Sequence, residues 1–199
     1  MRVLVACEFS GIVRDAFAAR GHDAWSCDLL PTERPGQHIQ GDVLAVLRDG
    51  WDLMVAHPPC TYLSRAGARW LHAGGRVDAE RLRLGYEAVD FFMRLLHAPI
   101  PRVAVENPTP LRECGLPPHN QAIQPYEFGH PYSKRTLLWL RDLPPLMPTD
   151  IVVRNGTWVP SNKGGARRGT KVDKGVALDA RTASRTFPGI AAAMAEQWG

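Results

Sequence analysis

RVLVAC, residues 2–7, is one charge followed by an unbroken apolar run, the pattern of a strand covered on both faces of a parallel sheet. Polar EFSG interrupts it. IVRDAFAARG then puts Ile12, Ala16 and Ala19 on one side of a helix that Gly21 can stop. DAWSCDLLP reads as a second strand with Asp28 near its carboxyl end, HIQGDV as a short element closing on Asp42, and WDLMVAH as a further buried strand. Leu82, Tyr86, Val89, Phe92, Met93 and Leu96 recur at helical spacing and predict a helix over 77–97. RVAVENP predicts a fifth strand ended by Pro108, KRTLLWL a late strand, and GIAAAMAEQW a closing helix. Strands alternating with helices predict an α/β fold: a doubly wound, mostly parallel sheet with helices on both faces.

Residues 141–182 break this rhythm, being rich in proline, glycine and charge, with a hairpin signal at Asn155-Gly156. Between 154 and 174, six basic residues (Arg154, Lys163, Arg167, Arg168, Lys171, Lys174) face the single acid Asp173. The stretch reads as a small basic insert, and residues 1–140 and 183–199 as one domain around it.

Composition narrows the class. A chain of 199 residues, 45% hydrophobic, can bury one good core. The opening residues do not have a signal-peptide pattern, and no stretch reaches the ~18–20 consecutive apolar residues that span a bilayer. A soluble, cytoplasmic protein is expected. Cys7, Cys27, Cys60 and Cys114 are scattered without a CxxC pair, which predicts free thiols and neither a disulfide frame nor a metal site. A formal charge of +4 leans toward a polyanionic partner.

In open parallel sheets ligands sit beyond the carboxyl ends of the strands. Gathered there are Phe9, Ser10 and Gly11, then Asp28, Asp42, Pro58-Pro59-Cys60 and Glu106-Asn107-Pro108. The glycine turn lets a ligand approach backbone. One acid can accept a ribose hydroxyl and the other an adenine amino group. A thiol and a carboxyl on neighbouring strands can attack and protonate one ring. Each also has a structural reading: Asp28 and Asp42 as caps or solvated loop acids, Cys60 as a buried thiol, Glu106 as the partner of an arginine.

Taken in order, these motifs resemble the DNA cytosine-C5 methyltransferases. VACEFSGIVRDAF resembles the family's first motif, HPPCTYLSRAG its Pro-Pro-Cys motif with the serine (Ser64) that follows, and VAVENP its Glu-Asn-Val motif. FGHPYSKRTLLWL resembles the strand carrying Gln-Asn-Arg-x-Arg, and SRTFPGIAAAMA the final helix motif. The resemblance implies a Rossmann-like, class I S-adenosylmethionine-dependent methyltransferase fold. It makes Cys60 the nucleophile, Glu106 the acid that engages the cytosine ring, and Lys134 a third catalytic group. Phe9, Ser10, Gly11, Asp28, Asp42 and Pro58 become cofactor contacts, and Pro59, Ser64, Asn107, Arg135, Arg167 and Arg168 substrate contacts.

The chain departs from the family at Cys7, where an aspartate is usual, at Val13-Arg14, where a second glycine is usual, and at Lys134 and Thr136 in place of two arginines. The family's sizeable target-recognition domain is replaced by about forty residues, 141–182. Short versions of this kind resemble phage homologues.

The implied chemistry adds the Cys60 thiolate to cytosine C6, places a proton at N3, and leaves C5 able to take a methyl group. The loop's backbone donors or a nearby cation such as Lys134 or Arg65 are expected to activate the thiol, and burial to raise the Glu106 pKa. The acceptor is then cytosine in DNA or, because the recognition domain is missing, a free pyrimidine nucleotide such as dCMP. A non-catalytic nucleic-acid-binding protein with this fold is the third reading.

Overall fold

The computed structural model describes residues 1–154, 157–158 and 185–199. Its strands are β1 (Arg2–Ala6), β2 (Asp23–Asp28), β3 (His38–Gln40), β4 (Leu53–Ala56), β5 (Arg102–Asn107), β6 (Gln121–Ile123), β7 (Tyr132–Ser133), β8 (Thr136–Arg141) and β9 (Thr157–Trp158). Its helices are α1 (Ile12–Ala18), α2 (Ala68–Leu71), α3 (Ala79–Leu96) and α4 (Pro188–Trp198).

Seven strands form one sheet in the order β3-β2-β1-β4-β5-β8-β6. The first five pair in parallel, while β8 runs antiparallel to both β5 and β6. This is the Rossmann-like α/β architecture expected from the sequence. The late strand has a direction that its own pattern does not encode. β1 is followed outward by β2 and β3, and the chain then returns to lay β4 and β5 on the other side. The strand order therefore reverses between β1 and β4, which opens a crevice at their carboxyl ends.

Alternation along each strand feeds two cores. Leu4, Ala6, Met54, Ala56, Val103 and Val105 face α3, where Phe92 and Leu95 are fully buried, and Trp139 joins them. Val3, Val5, Leu53, Val55, Ala104 and Leu138 face α1 and α4 through Val13, Phe17, Met194 and Trp198. Each fully buried large side chain contributes about 1.5–3 kcal/mol.

Boundaries shift for local reasons. α1 stops at Ala18, with Gly21 in a left-handed turn at φ 82°. β2 ends at Asp28 because its carboxylate accepts the Leu30 N–H, and Leu29 and Leu30 turn out to solvent. α3 starts after Asp78, which caps it by accepting from the Arg81 N–H. Tyr86 is 54% exposed rather than on the core stripe, since Gly85 takes the inward place at that turn, against Cys114 and Tyr62. The Asn155-Gly156 turn lies outside the described residues. Among the described residues no helix is long and apolar enough to cross a membrane.

Candidate active site

At the end of β1 the chain turns sharply. Cys7 adopts φ 58°, a left-handed conformation that costs a non-glycine residue roughly 1–2 kcal/mol. Glu8 is buried beneath the turn, where Oε1 accepts from Ser10 Oγ at 3.0 Å and the Val13 N–H at 2.7 Å, and Oε2 from the Arg14 N–H at 3.2 Å. The first amides of α1 are thus met from within the chain. Gly11 has φ 71°, and a Cβ there would lie 2.5 Å from Arg14 Nη2, so both backbone and space demand glycine.

Arg14 is 1% exposed. Its guanidinium donates to Ser26 Oγ at 3.3 Å, Thr32 Oγ1 at 3.2 Å and the carbonyls of Arg34 and Pro35 at 3.3 and 3.0 Å, and pairs with Asp15 at 2.8 Å. It pins the loop after β2 against α1. Nothing in the local pattern marked Glu8 or Arg14 for these roles.

Asp28 and Asp42 come together near Cys7. Burial pushes the Cys7 thiol far above its ordinary range, and Asp28, Cys27 and Asp42 push it further. Burial and the same two carboxylates raise Cys27 to about 11. The capping reading of Asp42 is seen directly: its Oδ1 accepts the Leu44 N–H at 2.9 Å at the start of a 3-10 turn, Val43–Ala45. Asp28 Oδ1 is engaged in the same way by Leu30 at 2.9 Å. Phe9 is partly exposed, and its carbonyl accepts the Glu33 N–H at 2.8 Å.

The second half of the site is built by β4 and β5. Their register pairs Ala56 with Val105, so His57 and Glu106 follow side by side. His57 Nδ1 lies 3.3 Å from Glu106 Oε2. Pro58 is buried, Pro59 exposed and Cys60 half-buried. Asn107, fully buried, donates through Nδ2 to the Pro58 carbonyl at 3.4 Å and ties the two loops together. Beyond Cys60, the Ser64 N–H returns to the Cys60 carbonyl at 2.9 Å, Arg65 N–H donates to Thr109 O at 2.8 Å, and Leu111 N–H to Leu63 O at 2.7 Å. Ser64 is buried in this seam, whereas Arg65 is exposed.

Charge couples these groups. Burial raises the Cys60 thiol and Glu106 raises it further, outweighing the lowering by Lys134. The charge of Lys134 lowers the thiol without bringing it below its ordinary range. For Glu106 the expectation reverses. Burial pushes the carboxyl up, but the hydrogen bond and charge of His57, together with Lys134, outweigh it and hold the group below the usual carboxylate range. The Lys134 ammonium sits 5.8 Å from the centre of the Phe187 ring.

Glu106, Lys134, Thr136, Arg185, Phe187 and Met194 line one pocket, and Arg185 also pairs with Glu33 at 2.7 Å. Arg135 is exposed, and Arg167 and Arg168 lie outside the described residues. Four buried side-chain atoms among the described residues lack a hydrogen-bond partner. Three of them, His57 Nε2, Asn107 Oδ1 and Arg185 Nε, belong to residues around Glu106. Unmet buried polar atoms are uncommon. His57 and Arg185 were not singled out from sequence. The signal for His57 was its place one residue beyond a buried strand, directly before the two prolines.

Fold and site together define a Rossmann-like α/β protein with a cysteine on the loop after β4 and a glutamate at the end of β5, at the carboxyl edge of its sheet. No family model matches the chain, and no curated protein matches it. Among solved structures it is similar to one assigned as a DNA modification methyltransferase encoded within a prophage (E. coli), at 15% identity and a TM-score of 0.43, over 77% of this chain and 52% of that one. The chain thus spans about half the length of that structure.

Proposed function

We propose that this chain is a methyltransferase that uses S-adenosylmethionine to methylate C5 of cytosine in DNA, through a covalent bond between Cys60 Sγ and C6. The observation that supports it best is the meeting of Cys60, Glu106 and Lys134 in one another's field, with Asn107 at the end of β5 tied to the loop that carries Cys60.

Cytosine C5 is a weak nucleophile. Addition of the Cys60 sulfur at C6, with its thiol proton passing by way of Glu106 to N3, makes C5 an enamine carbon. Once C5 carries the methyl group, loss of its proton to water would expel Cys60 from C6, and the N3 proton would return to Glu106. Thiolate at Cys60 and proton at Glu106 favour each other, because a neutral Glu106 no longer opposes ionisation of its neighbour. Lys134 steadies the thiolate. Entry of a flat ring would expel water and strengthen all three effects.

The cofactor's ribose hydroxyls and adenine amino group are donors, and the carboxylates of Asp28 at the end of β2 and Asp42 after β3 are acceptors, so the residues present fit that group. When bound it supplies an electrophilic methyl on sulfur. Phe9, Ser10, Gly11 and Pro58 would wall it, and the Gly11 turn keeps the crevice open.

In duplex DNA the base must swing out of the stack, at a cost of a few kcal/mol. Pro59, Ser64, Asn107 and Arg135 would border it, with Arg167 and Arg168 on phosphates. A second reading, C5 methylation of a free nucleotide such as dCMP, is favoured by the brevity of residues 141–182, about forty residues with little to read base edges.

Transfer of label from S-adenosylmethionine to duplex DNA, single-stranded DNA and dCMP, with wild type and Cys60→Ser, tests these readings. The expected result is label in DNA, lost with Cys60→Ser. Label in dCMP alone would select the nucleotide. Cofactor binding without label in any acceptor would leave a binding protein.

A further inference from the structure

Resting on the methyl-transfer reading, we infer that His57 is the positioning residue for Glu106. Its Nδ1–H holds Oε2 of the carboxylate, leaves Oε1 for the ring nitrogen of the substrate, and makes Glu106 a stronger acid than a lone glutamate in the same pocket.

The pairing follows from strand register. Ala56 and Val105 are partners in the parallel β4–β5 ladder, and the next residue on each strand is His57 and Glu106. The His57 N–H donates to the Ala6 carbonyl at 2.9 Å, which continues the ladder toward β1 and fixes the backbone of the histidine. Its side chain is 9% exposed and that of Glu106 20%, so the contact at 3.3 Å is shielded from bulk water. An imidazole here does not swing freely. Its donor is held where the carboxylate is.

The other ring nitrogen decides the form. His57 Nε2 is buried and without a partner among the described residues. A proton on Nδ1 makes the ring a donor to Glu106 Oε2 and leaves the buried Nε2 facing no acceptor among the described residues. Charged groups around the pair are Lys134, ahead of β8, which also lowers Glu106; Cys60, in the loop continuing from His57; and Arg185, near the start of α4, which is bound to Glu33.

The consequence is chemical. During addition to C6, Glu106 gives a proton to N3 and becomes a carboxylate, and the Nδ1–H of His57 stabilises that anion. On departure of Cys60 the proton returns to Glu106. His57 acts through the hydrogen bond to Glu106 and does not touch the substrate. It changes how completely the glutamate lets go.

The test has two independent readouts. ¹³C NMR of the glutamate side chains, with Glu106 assigned through Glu106→Gln, follows its titration in wild type, His57→Ala and His57→Gln. The expected result is a titration displaced to higher pH in His57→Ala and partly restored in His57→Gln, whose amide can still donate. An unmoved titration in His57→Ala overturns the inference, whatever the enzyme's activity. In the labelled-methyl assay, kcat should fall about tenfold in His57→Ala with KM little changed, and the limb of the pH profile belonging to Glu106 should move to higher pH. A normal kcat and profile in a folded His57→Ala protein would also overturn it. Absence of any Cys60-dependent transfer by wild type counts against the methyl-transfer reading, while the titration still decides on His57.

Discussion

At the scale of single residues, Cys60 is the group whose behaviour the surroundings govern most clearly. Its thiol is raised by burial and by Glu106 and lowered by Lys134. Two substitutions should therefore move its reactivity in opposite directions. Glu106→Gln removes the like charge, lowers the thiol's proton affinity and speeds alkylation of Cys60 by iodoacetamide at pH 8. Lys134→Met removes the stabilising cation and slows it. Methyl transfer does not follow alkylation. Glu106→Gln should lose roughly a hundredfold or more in kcat even as its thiol becomes more reactive, because the proton for N3 is gone. Alkylation measured by mass spectrometry beside the transfer assay separates the two roles. If both rates fell together, the carboxyl would be acting only as a structural partner of the loop.

At the scale of elements, Arg14 joins α1 to the loop that follows β2. Its guanidinium is buried with five partners, and only Asp15 brings an opposing charge. Arg14→Met keeps the stem but leaves Ser26, Thr32 and the carbonyls of Arg34 and Pro35 without their donor. A loss of about 2–4 kcal/mol is expected, measured as a lower urea midpoint at unchanged slope. Limited proteolysis should meanwhile find new cleavage between 29 and 37. The sequence displayed this arginine only as an interruption of a glycine motif. Its function as a staple depends on a loop about twenty residues away, so no local pattern carries it.

At the scale of the whole molecule, the sheet separates two cores, and α4 closes the one that backs the Glu106 pocket. Trp198 is 1% exposed in that core, and its indole N–H donates to the Pro144 carbonyl at 3.0 Å. Trp198→Ala should cost about 3–5 kcal/mol, read as a lower midpoint in chemical denaturation. Because Ile190 and Met194 on the same helix line the Glu106 pocket, S-adenosylmethionine should in turn protect the wild type from unfolding more than it protects the variant. Equal protection would separate the helix from the ligand site.

Apolar runs and helical spacing along the chain determined the main strands, the two long helices and the α/β class, because burial periodicity is written locally. Residue type alone brought Cys60, Glu106, Asp28 and Asp42 forward as chemistry at strand ends. The tertiary structure decided the reversed direction of β8, the short strand β6, the exposure of Tyr86 and the burial of Arg14. It also set His57 against Glu106, forty-nine positions apart in the chain, and so turned an expected rise in the carboxyl's proton affinity into a fall. Register between strands distant in sequence is fixed by pairing and packing over the whole sheet, and only that register says which groups share a face and a field.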